Sequence, residues 1–76
     1  MNIPDLEPYA TQNSRGQKIY YEPFKGHNIS IRELDDGRIS VLMFKNGEKY
    51  PPVWWDYRSR TEAAVLAARE KAKASI

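Results

Sequence analysis

Two glycine turns constrain this chain more than any other feature. Asp35-Asp36-Gly37 and Asn46-Gly47 bracket the run "RISVLMFK", Arg38 to Lys45. Both are short-range hairpin signals, because a tight reversal needs residues that tolerate positive φ. Before the first turn, "HNISIREL" alternates: Ile29 and Ile31 point one way, and Asn28, Ser30 and Arg32 the other. After the second, "EKYPPVWW" starts a further pairing partner until Pro51 and Pro52 interrupt its hydrogen bonds. Upstream, "KIYYEPF" has the β-branched and aromatic content of a strand, and Pro23 predicts that it lies at an edge or stops there.

The first hairpin admits two registers. A two-residue turn at Asp36-Gly37 sets Ile31 against Leu42 and Ile29 against Phe44. A three-residue turn with Gly37 left-handed sets Ile31 against Val41 and Ile29 against Met43. A slip of one residue turns every side chain to the other face. The second register is preferred, because it gathers Ile29, Ile31, Ile39, Val41 and Met43 on one face. It leaves Leu42 and Phe44 on the other, beside Ser30 and Asn28.

The carboxyl end predicts a helix from about Arg60 to Ala74. "SRTE" fits a capping box, with Ser59 as the cap and Glu62 reaching back. "EAAVLAAREKAKA" has high helix propensity. Ala64, Ala68 and Ala72 form a seam flanked by Val65 and Ile76, while Glu62, Arg69 and Lys73 lie on the far side. Leu66 falls among the polar residues. The expected fold is α+β: a three- or four-stranded antiparallel sheet packed on one C-terminal helix.

At 76 residues the chain makes one domain. It has no cysteine, so aliphatic and aromatic side chains must supply the core, and a reducing compartment suits it. Residues 1–16, with Pro4, Pro8 and "TQNSRGQ", show no periodicity and are expected to form a flexible tail, with Tyr9 and Leu6 able to dock. Residues 17–76 form the domain. No apolar run approaches the roughly 20 residues that span a bilayer, and "MNIPDLEPYA" does not read as a secretory signal. A cytoplasmic protein with no membrane partner is expected. The net charge is +2; setting aside the two negative charges of Asp5 and Glu7 leaves +4 on residues 15–76.

"PPVWWDYRSR" is the loudest stretch. Its rings can fill the space an alanine-lined helix leaves open. Adjacent tryptophans in extended chain point to opposite faces, however, so unless the chain bends one of them is exposed. Trp55 beside Arg58 and Arg60 would suit base stacking or phosphate contact.

Most catalytic chemistry lacks its residues. His27 is the lone histidine. Asp35 and Asp36 belong to ordinary turn chemistry. The glycines are scattered at turns and form no phosphate-cradling loop. Glu22, Glu33 and Glu48 could approach one another, but no pocket is indicated around them. No cofactor or metal is expected, and a non-enzyme is the reading.

Two binding classes stand. One is protein interaction or self-association through Leu42 and Phe44 on the uncovered face, with the spare Leu66; a homodimer would add core volume to so small a domain. The alternative is nucleic-acid binding, DNA above all, through the open face and arginines Arg32, Arg38, Arg58 and Arg60 with Trp55. Acidic Glu22, Glu33, Glu48 and Asp56 are expected to dilute that patch.

Gly26, Ile29 and Ile31, followed by Thr61, Glu62 and Ala63, give the chain a further likeness. Over residues 18–75 it resembles small uncharacterised bacterial proteins with a strand-strand-strand-helix plan. That plan is similar in architecture to the sheet-plus-helix DNA-binding domains of plant AP2 factors and phage integrase arms. The sequence lacks the richly basic first strands of those domains, so the resemblance assigns no DNA-contact residue.

Overall fold

A computed structural model describes all residues, Met1 to Ile76. A 3-10 helix, Pro4–Tyr9, leads into five strands: β1 (Ala10–Gln12), β2 (Lys18–Phe24), β3 (His27–Glu33), β4 (Ile39–Lys45) and β5 (Trp54–Ser59). Helix α1 (Glu62–Ala74) closes the chain. The strands form one antiparallel sheet in the order β1-β2-β3-β4-β5, each paired with its neighbour in sequence. The α+β class and the terminal helix are as expected, but the sheet has five strands rather than three or four.

The added strand is the short β1, and the last strand, β5, begins later than the expected "EKYPPVWW" partner. Pro51 and Pro52 cannot donate ladder hydrogen bonds, so pairing lapses between Lys45 and Trp54 and resumes with the tryptophans. The loud stretch is therefore mostly an edge strand. Pro23 lies beyond the reach of β1, which pairs only with Lys18 to Tyr20, so its missing N–H falls on an unpaired stretch of edge.

The β3–β4 hairpin takes the three-residue turn. Ile31 faces Val41 and Ile29 faces Met43. Gly37 adopts φ 85°, a left-handed conformation open to glycine, and its N–H donates to the Leu34 carbonyl at 3.0 Å. This register collects Tyr20, Ile29, Ile31, Val41 and Met43 on the inner face, all fully buried against Val65, Ala68 and Ala72 of α1.

The opening residues, expected to be a flexible tail, pack onto this core. Ile3 is 2% exposed and Leu6 fully buried. The Ile3 amide donates to the buried Tyr20 hydroxyl at 2.9 Å. Two apolar side chains spaced by one 3-10 turn give no readable period, yet they cover the end of the core.

The helix also differs from expectation at its start. Ser59 ends β5 opposite Ile39 and is not the cap; Thr61 is, its hydroxyl accepting from the Ala64 amide at 3.1 Å. The buried stripe is Val65, Ala68 and Ala72, while Ala64 and Ile76 are exposed. Leu66 packs at the edge of the core. Arg69 and Lys73, expected on the far side, reach the sheet instead and bind Glu22.

Candidate binding surface on the open face of the sheet

The alternation that buries Ile29 and Ile31 sends Asn28, Ser30 and Arg32 to the opposite, outer face. Antiparallel partners share a face, so the register extends this face across the sheet in rows. The central row is Tyr21, Ser30, Leu42 and Trp55. One flanking row is Pro23, Asn28 and Phe44, and the other is Ile19, Arg32 and Ser40. A bulge in β5 between the Val41–Asp56 and Ile39–Ser59 pairs sets two residues, Tyr57 and Arg58, against Ser40.

No other element lies on this face, since α1 packs on the inner one. Trp55 is 59% exposed and Tyr21 48%. Leu42 and Phe44 are half-buried by their neighbours. Ser30 and Ser40 are nearly covered, at 5% and 1%, and form the floor between larger side chains. The tryptophans divide as an extended strand requires: Trp54 faces Met43 and packs against the core, while Trp55 faces Leu42 on the outside.

The charges divide by the same parity. The strands carry three carboxylates, Glu22, Glu33 and Asp56, paired with Ile29, Ile39 and Val41 respectively, all inner-face positions. Glu22 and Asp56 are thereby kept off the outer face, while Glu33 lines a cleft with Arg32 at its end. Glu22 is 4% exposed and takes the Arg69 guanidinium on both oxygens, with Nη2 to Oε2 at 2.9 Å and Nε to Oε1. Lys73 Nζ adds a contact at 2.7 Å. Burial pushes the Glu22 carboxyl up, but Arg69 and Lys73 outweigh it and hold the group below its ordinary range. Glu33 faces the terminal amine of Met1 at 3.3 Å. In the β4–β5 loop, Glu48 and Lys49 border the groove between Tyr21 and Phe44 and offset one another. Glu22, Glu33 and Glu48 thus have separate surroundings and form no acid–base pair.

Of the residues singled out in the sequence, Arg32, Leu42, Phe44 and Trp55 come together on the outer face, with Arg58 beside them at the bulge. Arg38 does not join them: its Nε binds Asp36 Oδ2 at 2.6 Å in the turn, and its amide donates to Oδ1 at 3.0 Å. Those contacts hold the Asp36 carboxyl below its usual range. Arg60 lies past the end of β5. Tyr21 was missed, and Tyr57, whose ring was expected to help fill the core, is exposed instead. Tyr21 was within reach, since adjacent Tyr20 and Tyr21 in a strand must part to opposite faces; Tyr57 depends on the bulge, which has no sequence mark.

His27 Nδ1 sits 2.9 Å from its neighbouring Lys25 carbonyl. No group of three His, Cys, Asp or Glu residues is arranged to hold a metal ion. No helix is long and apolar enough to cross a membrane. No protein-family model, curated protein or solved structure matches the chain.

Proposed function

We propose that this chain is a small non-catalytic binding module whose working surface is the outer face of its sheet. The observation that carries the reading is the row Tyr21, Ser30, Leu42, Trp55, which runs over four strands with exposed rings at both ends, on the face away from α1. An apolar sheet face left open in so small a domain suits a contact surface. The edges are poorer candidates. β1 has three residues, and β5 is bulged and preceded by two prolines, all features that discourage strand addition.

A protein, a second copy of the chain among them, is the competing occupant that the apolar row alone would suit. Sedimentation velocity over a wide concentration series tests the second copy. Association that disappears in Leu42→Glu supports it. A monomer at every concentration removes self-association and leaves the face to a different molecule.

A further inference from the structure

We infer that the outer face binds single-stranded nucleic acid, stacking bases on Trp55 and Tyr21 and drawing the phosphates to Arg32 and Arg58. This rests on the outer face being the working surface and names the ligand it would take.

Charge is the first argument. Strand parity turns Glu22, Glu33 and Asp56 to the inner face and leaves arginine as the only charge that the strands direct to the outer one, with Glu48 and Lys49 at its loop border. Arg32 and Arg58 have no ion-pair partner, unlike Arg38 and Arg69. Arg15, equally unpaired, shares a cleft with Arg32 at one end of the face, which Glu33 and Asp35 also line. A second copy would bring arginine against a face with no strand carboxylate to answer it. An anionic chain meets complementary charge.

The rings are the second argument. Tyr21 and Trp55 stand three strand spacings apart, about 14 Å, with the small Ser30 and half-buried Leu42 between them. Base stacking on aromatic rings needs unpaired bases and tolerates any sequence. Duplex fits less well. The major groove, about 12 Å wide, admits a helix or a two-stranded ribbon, not a platform four strands across. Two or three arginines are also few for the charge density of a duplex.

The test titrates the full chain with fluorescently labelled dT12, rU12 and a 12-base-pair duplex, following both oligonucleotide anisotropy and tryptophan emission. Single strands should bind, quench tryptophan emission and exceed the duplex in affinity; the two oligonucleotides separate DNA from RNA. With Arg15, Arg32 and Arg58 engaged, log Kobs should fall against log salt with a slope of about −2. Trp55→Ala should weaken binding roughly 5- to 150-fold, and Trp55→Phe should retain it by anisotropy. Arg32→Glu should weaken it, while Lys71→Gln on the exposed side of the helix should not. Absence of binding at low salt, equal affinity for the duplex, or equal losses in Arg32→Glu and Lys71→Gln would overturn the inference. If the oligonucleotides fail but wild-type self-association is abolished by Leu42→Glu, the face is a protein surface and only the nucleic-acid reading falls. If both fail, the nucleic-acid reading and self-association fall together and the face is left to a different protein.

Discussion

Glu22 and Arg69, 47 residues apart in sequence, are joined through both carboxylate oxygens at the boundary between sheet and helix. The link reaches from α1 to β2, while the helix packs mainly over β4 and β5. Lys73 joins it one helical turn later and also lies 5.1 Å from the centre of the Phe24 ring.

Glu22→Ala should destabilise the fold by about 3 kcal/mol, because it leaves two largely covered cations without their counter-charge. Urea unfolding measures this. The folded-state pKa of Glu22 is depressed, so its contribution is complete above the ordinary glutamate range, about 4.3. It is lost as the pH falls through the lower folded-state value. Wild type should thus lose stability over acidic pH, and Glu22→Gln should flatten that part of the profile.

Tyr20→Phe removes one oxygen and leaves the Ile3 amide without its acceptor in a buried site. A loss of about 1–3 kcal/mol is expected. Hydrogen exchange should speed up at Ile3 and Leu6 before it does in β3 and β4.

The β2–β3 turn places Lys25 at φ 47° and Gly26 at φ 74°. A lysine in left-handed conformation is strained, whereas asparagine tolerates it in this kind of two-residue reversal. Lys25→Asn should raise stability by up to about 1 kcal/mol by relieving that strain, read as a Tm several degrees higher.

Thr61→Ala should cost about 1 kcal/mol through the lost cap. Ser59→Ala should leave the helix start intact, so the Ala64 amide should exchange faster in the first variant only. The reverse pattern would place the cap at Ser59.

The central hairpin was legible because strict alternation and a glycine turn admit few registers, and one of them gathers all the aliphatic residues. The uncovered face followed from the same parity, which is why Arg32, Leu42 and Phe44 could be grouped from sequence alone; which tryptophan joins them depends on the register past the prolines. The opening segment was not legible, because Ile3 and Leu6 have too few companions to show a period. β5 was hidden by its prolines and by a serine that mimics a helix cap. Arg69 and Lys73 looked solvated on a helical projection. Their destination depends on Glu22, a partner in a distant strand that no local pattern announces.

Every strand pairs with the one next to it in the chain, and this has a kinetic consequence. Each hairpin closes over a short loop, so little chain entropy is spent before a contact forms. Folding should be quick for a protein built mostly of sheet, with assembly spreading outward from the β3–β4 reversal and α1 settling onto a surface already laid down.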